Sequence, residues 1–247
     1  MENGQKVALV TGGARRLGRH IALALAGRGY DVAVNHSNSE AMALKVVEKM
    51  AHEGGRALAL KADVSNPAEV RRMVEEVEQQ LGPLALLVNN AAVIPPSPFE
   101  KLDDEVWDKT LGVNLNGTMY CCREVGQRML ERGGGVMVNI ACLGAFQPWH
   151  GHIAYSVSKA GVVMLTRCLA RSLGPAVRVN AVAPGTVEVP GESSPTKITP
   201  RVGSIPLRRY ASPEDITGAV VHLAEAADYV TGQVLVVDGG TSLQSIW

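Results

Sequence analysis

The sequence predicts an α/β domain built on a doubly wound, parallel, seven-stranded sheet with helices on both faces. Three observations predict it. Short β-branched runs alternate with longer stretches of helical period, the runs are apolar at nearly every position rather than every second one, and a glycine-rich turn joins the first run to the first helical stretch. A strand that is apolar on both sides must be covered on both sides. Parallel neighbours need crossover helices, which supply that cover.

In chain order the strands read KVALVT, DVAVN, RALALK, LALLVN, GVMVNI, VRVNAV and VLVVDG. Helical patterns occupy 16–29, 39–54, 67–81, a long stretch ending near 132, 152–173 and 213–226. Asn66 before Pro67 and Ser212 before Pro213 read as N-caps followed by proline at the first helical position, where its missing N–H costs nothing. Residues 186–211 are rich in Pro, Ser, Thr and Gly and keep no period, which predicts a substrate loop. With 247 residues, 46% of them hydrophobic, the whole of 1–247 reads as one domain.

Charge and leader composition narrow the function classes. Twenty-four basic side chains balance 24 acidic ones, so no overall field recruits nucleic acid or an anionic membrane. The start MENGQKVALV enters a strand without a leader, and no later run predicts a bilayer span, so a cytoplasmic location is expected. Cys121, Cys122, Cys142 and Cys168 are expected as buried free thiols, because adjacent cysteines rarely bridge and no C-x-x-C occurs. His150 and His152 lack the spacing of a metal site, and none is expected.

The first strand leads into Thr11, Gly12, Gly13, Ala14, Arg15, Arg16, Leu17 and Gly18 before a helix. Glycines let a pyrophosphate approach the backbone, and the helix N-terminus offers free N–H groups, so the turn reads as a dinucleotide cradle and the sheet as a three-layer Rossmann fold. An NAD site usually places an acid at the end of the second strand, but this chain has Asn35, His36 and Ser37. Arg15 and Arg16 can instead neutralise a 2′-phosphate, with His36 and Ser37 as donors, which favours NADPH/NADP+.

Tyr155 and Lys159 stand four residues apart at the start of a helical pattern and project from one face. A carbonyl or imine receiving hydride needs a proton, and a lysine charge near a tyrosine is expected to lower its pKa toward neutrality.

Taken together, TGGARRLG, Asp63-Val64, Asn89-Asn90-Ala91-Ala92, YSVSK and Ala183-Pro184-Gly185-Thr186 resemble the short-chain dehydrogenase/reductase family almost end to end. The resemblance implies that Tyr155 is the acid/base and that Lys159 also binds the nicotinamide ribose. It further implies that Asn114 supports a water relay, that Asp63 and Val64 contact adenine, that Asn90, Ala91 and Ala92 close the fourth strand, and that Pro184, Gly185, Thr186 and Val187 flank the nicotinamide. A homotetramer is implied as well.

Two departures bear on the chemistry. Arg16 stands where the family usually has its second glycine, a form resembling pteridine reductases. Cys142 stands where the family generally has serine and pteridine reductases aspartate. No hydroxyl residue lies between Cys121 and Ala154 to replace it, and a thiol is the weaker donor. Three readings stay open: a slower reductase, a site whose thiol suits a particular substrate, and an NADPH-binding sensor or scaffold without turnover.

The substrate is open too. A planar heterocycle fits the pteridine-like turn, but Ile94 occupies the position of the stacking aromatic, leaving Trp149 or Tyr210 as replacements. A 3-oxoacyl thioester or small ketone fits a second resemblance, to the oxoacyl-carrier-protein reductases. For a carrier protein, Arg128, Arg132 and Arg171 are candidate contacts.

Overall fold

The computed structural model describes residues 6–192 and 201–243. Seven strands form one parallel sheet: β1 Lys6–Val10, β2 Tyr30–His36, β3 Ala57–Lys61, β4 Leu84–Asn89, β5 Gly135–Ile140, β6 Val177–Pro184 and β7 Val234–Val237. Their order is β3-β2-β1-β4-β5-β6-β7. Between β1 and β4 the winding reverses, and a doubly wound sheet opens its ligand crevice at that point, beyond the carboxyl ends of the strands.

The unbroken apolar runs follow from two-sided burial. In β1, Ala8 and Val10 face a core shared with α1 (Arg16–Ala26), α2 (Glu40–His52) and α7 (Pro213–Glu225), contributed by residues such as Ile21, Met50 and Ile216. Val7 and Leu9 face the opposite core, against Val74 of α3 (Pro67–Gln80) and Met129 of α5 (Gly117–Arg132). Each strand residue alternates between the two layers, so neither side tolerates a polar series.

The helix starts follow their caps. Asn66 accepts from the Ala68 and Glu69 N–H groups at 3.0 and 3.4 Å, and Asp215 accepts from the Ser212 N–H at 2.7 Å. The long stretch expected up to 132 is divided: α4 (Asp104–Leu111) passes through one π-helical turn, Gly112–Asn116, into α5. Of the four thiols, Cys168 departs from expectation, because it lies on the outward side of α6 (Ile153–Leu173) and is exposed. By length and composition alone α6 is apolar enough to cross a membrane. Its Ala154, Val162, Val163 and Ala170 are nevertheless buried within the protein.

Candidate active site

The carboxyl ends of the strands open into a cleft of about 970 Å³. Gly12, Arg15, Arg16, Leu17 and Gly18 of the first turn line it, with Asn35, His36 and Ser37 after β2 and Asp63 and Val64 after β3. Asn90, Ala91 and Ala92 follow from β4, Cys142 from β5, Tyr155 and Lys159 from α6, and Pro184, Gly185, Thr186 and Val187 from β6.

The glycine turn packs closely against itself and the end of β4. Gly12 has φ +61°, and a Cβ there would lie 2.9 Å from Ala91 Cα; a Cβ on Gly18 would lie 2.1 Å from the Gly12 carbonyl oxygen. The bare backbone is fixed from beneath. Thr11 Oγ1 accepts from the Asn90 and Ala91 N–H groups at 2.9 and 3.1 Å, while Asn90 Nδ2 donates to the Thr11 and Gly12 carbonyls at 3.0 and 3.1 Å. Asn35 turns its side chain to the same purpose, accepting from the Gly12 N–H at 3.2 Å and donating to the Ala62 carbonyl at 3.0 Å. Arg16 sits in the left-handed region at φ 51°, the conformation glycine adopts freely and an L side chain enters at a cost of roughly 1–2 kcal/mol. Its guanidinium lies 3.9 Å from the Glu192 carboxylate, as Arg19 does at 3.7 Å.

At the far end, Lys159 Nζ donates to the Ile140 carbonyl at 2.7 Å and stands 5.8 Å from the Tyr155 ring centroid. The Cys142 thiol and Tyr155 line the cleft together, and each side chain affects the ionisation of the other. Cys142 Sγ also accepts from the Gly144 N–H at 3.4 Å, capping the 3-10 turn Leu143–Ala145. Burial pushes the Cys142 thiol up, so it stays protonated at neutral pH.

The expected lowering of the Tyr155 pKa is not what the chain itself produces. Burial, followed by the Cys142 thiol, pushes Tyr155 well above its ordinary value. Burial also pulls Lys159 down to about 8, and its ammonium is engaged by the Ile140 carbonyl rather than by the phenol. Desolvation of the phenolate therefore outweighs a cation that is itself weakened.

A glycine cradle, strand order and Tyr-Lys face of this kind prompt comparison with known proteins. A family profile described as enoyl-(acyl carrier protein) reductase matches residues 12–242. The 3-oxoacyl-(acyl-carrier-protein) reductase of Staphylococcus epidermidis is 37% identical over 239 residues, 95% of this chain and 98% of that protein. A ketoacyl reductase of the granaticin polyketide synthase of Streptomyces violaceoruber is 40% identical over 244 residues, 96% of each chain. The chain belongs to the short-chain dehydrogenase/reductase family. A structure assigned as a short-chain alcohol dehydrogenase from Sinorhizobium meliloti superposes with TM-score 0.89 at 32% identity, covering 97% of both chains.

Within this short-chain dehydrogenase/reductase, Asn114 stands behind the cleft wall rather than on it. Wholly buried in the π turn, it donates to the Val93 carbonyl at 2.9 Å and to Ser158 Oγ at 3.0 Å, and accepts from the Val93 N–H at 2.8 Å. Ser158 in turn donates to the Tyr155 carbonyl at 2.7 Å. Asn114 thus ties the wall at Val93 to the helix turn that carries Tyr155.

Several contributors escape a reading of motifs. Lys61, paired in register with His36 across β2 and β3, brings a further cation to the cleft. Glu192 reaches Arg16 across 176 residues of chain. Trp149 lines the cleft and stacks on Tyr155, whereas Tyr210 is not among the lining residues. Arg128 and Arg132 are engaged by Glu78 at 3.3 and 2.7 Å, which gives their basic face a structural explanation; Arg171 is exposed. Of the expected substrate loop, 186–211, a bridge between Val187 and Ala211 closes the base, and 193–200 lie outside the described residues.

Proposed function

We propose that this chain is an NADPH-dependent reductase that converts the ketone of a 3-oxoacyl thioester or related small carbonyl compound to an alcohol, with Tyr155 as proton donor. The observation that carries it is the convergence of the Tyr155 hydroxyl, the Cys142 thiol and Lys159 in one cleft with a glycine cradle that has no room for a Cβ. The relatives' ketoacyl chemistry supports the substrate class.

The residues fit a nicotinamide dinucleotide. Gly12 and Gly18 line the cleft, where the lack of a Cβ lets the turn pack against Ala91 and Asn90, and His36 Nδ1 is a buried polar atom without a partner among the described residues. No acid stands at Asn35, His36 or Ser37, while Arg15 and Lys61 supply positive charge on that side for a 2′-phosphate. When bound, the cofactor supplies the hydride.

The chain's own residues manage the proton. As the carbonyl carbon gains hydride, its oxygen takes the proton of the Tyr155 hydroxyl; the phenolic O–H breaks and the alcohol O–H forms. The raised Tyr155 pKa keeps the donor protonated at neutral pH. The tyrosinate left behind is costly in so buried a place, and the Lys159 ammonium is the charge positioned to hold it until a proton returns. Cys142 offers its S–H to the substrate oxygen, a weaker polariser than a hydroxyl.

NADPH oxidation by the purified protein against an acetoacetyl thioester, a dihydropterin and a small diketone tests this reading. Turnover of the thioester or diketone supports it. Tight NADPH binding with no turnover, unchanged by Cys142→Ser, supports the sensor reading instead. A preference for NADPH that survives Arg15→Ala counts against the phosphate assignment. We extend the proposal to a homotetramer, supported by Leu130, Val157 and Met164, apolar side chains that α5 and α6 leave exposed; a monomeric mass by light scattering overturns it.

A further inference from the structure

Trp149 lies in a stretch, 146–152, with no sequence periodicity, yet three contacts fix its indole and a fourth its backbone. It stacks on Tyr155 at 5.8 Å between centroids and 24° between planes. His152 meets it edge-on at 6.5 Å and 74°. The backbone N–H of Trp149 donates to Ser156 Oγ at 3.4 Å, which holds the main chain from which the ring projects. Beneath it, Gly144 presents bare backbone, where a Cβ would come within 3.2 Å of the indole.

The segment is in turn tied to the cleft wall. Ser97 N–H donates to the Gly151 carbonyl at 2.7 Å, Ala154 N–H donates to Ser97 Oγ at 3.3 Å, and a ring nitrogen of His152 lies 3.3 Å from the Pro95 carbonyl oxygen. Trp149 lines the cleft together with the apolar Ile94, Pro95 and Val187. The result is a rigid aromatic surface beside the proton donor, set in place before any substrate arrives.

We propose that Trp149 determines substrate specificity, and that the preferred carbonyl is borne on a flat aromatic or conjugated ring system rather than on a linear aliphatic chain. The inference rests on the reductase reading above and narrows its substrate from the 3-oxoacyl thioester to the related carbonyl compounds that carry a ring. A planar ring gains stacking on a pre-positioned indole in addition to the burial of its area, whereas a saturated chain gains the area alone. Fixing the ring next to Tyr155 also fixes the direction from which its carbonyl meets the hydroxyl, which is the orientational part of catalysis. Besides Tyr155 and His36, Trp149 is the aromatic side chain that lines the cleft among the described residues.

The test compares kcat/KM with NADPH for a bicyclic aryl ketone, 1-tetralone, and an aliphatic thioester, acetoacetyl-N-acetylcysteamine, in wild type, Trp149→Leu and Trp149→Phe. The wild type should prefer the bicyclic ketone. Trp149→Leu should cut that preference by roughly 3- to 10-fold, the size of one aromatic stacking contact, through KM of the ring substrate. The loss for the thioester should be smaller than that for the ring substrate, since the thioester loses only the contact between Trp149 and Tyr155, and Trp149→Phe should recover most of the preference.

Equal losses for both substrates in Trp149→Leu would mean that the indole only braces Tyr155, which overturns the inference and leaves the reductase reading standing. A wild-type preference for the thioester has the same consequence. Silence with both substrates overturns the reductase reading and this inference with it.

Discussion

Replacing Cys142 by serine restores the hydroxyl donor that this chain lacks, and the structure sets the expected gain. The thiol is 7% exposed, lines the cleft beside Tyr155, and carries a raised pKa, so it would meet the substrate oxygen as neutral S–H. Removing a positioned donor from a reacting oxygen costs about a hundredfold to a thousandfold. The thiol is a weak donor rather than an absent one, so Cys142→Ser should raise kcat by about 10- to 100-fold, equivalent to about 1.4–2.8 kcal/mol of transition-state stabilisation. A serine Oγ keeps the acceptor role toward the Gly144 N–H, so the fold should hold. The assay is steady-state NADPH oxidation on acetoacetyl-N-acetylcysteamine, with NADPH affinity measured alongside by fluorescence. Affinity should be unchanged. A serine variant that folds, binds NADPH normally and turns over no faster than wild type would refute the assignment of Cys142 as the rate-limiting donor.

Three further outcomes follow from the geometry. Gly18→Ala places a methyl 2.1 Å from the Gly12 carbonyl oxygen and 2.5 Å from Asn90 Nδ2, so NADPH affinity should fall at least tenfold and stability by about 1–3 kcal/mol, read by titration and urea melts. His36 has its pKa lowered chiefly by burial, so the unfolded chain binds more protons than the folded one below pH 6.5. Stability should therefore be full above that pH and decline as pH falls through it, and His36→Asn should flatten the slope in melts between pH 7 and pH 5. Lys159, lowered to about 8 by burial, loses its charge as pH rises, so kcat/KM should fall above about pH 8; a profile flat to pH 10 would remove its electrostatic role.

The strands were legible because two-sided burial leaves a nearly continuous apolar run, and the cradle because glycine is the residue a close approach requires. The π turn at Gly112–Asn116 was not, since a one-residue change of helical pitch leaves the apolar pattern on either side intact. Motif position located Tyr155 and Lys159, yet the balance between them depends on desolvation and on the Ile140 carbonyl, which only packing reveals. Similarly, the left-handed Arg16 could be suspected from the glycine it replaces, but its pairing with Glu192 joins segments that only the fold brings together. Cys168 was expected inside because cysteine usually is; which side of α6 it occupies is set by the docking of that helix.

The central claim is that Tyr155 delivers the proton as hydride arrives at a carbonyl, and Tyr155→Phe tests it most directly. The phenyl ring keeps the stack with Trp149 and removes only the hydroxyl. With acetoacetyl-N-acetylcysteamine and NADPH, kcat should drop at least a hundredfold, the scale of general-acid catalysis, while NADPH affinity stays within about twofold of wild type. A phenylalanine variant that keeps near-normal turnover would contradict the account.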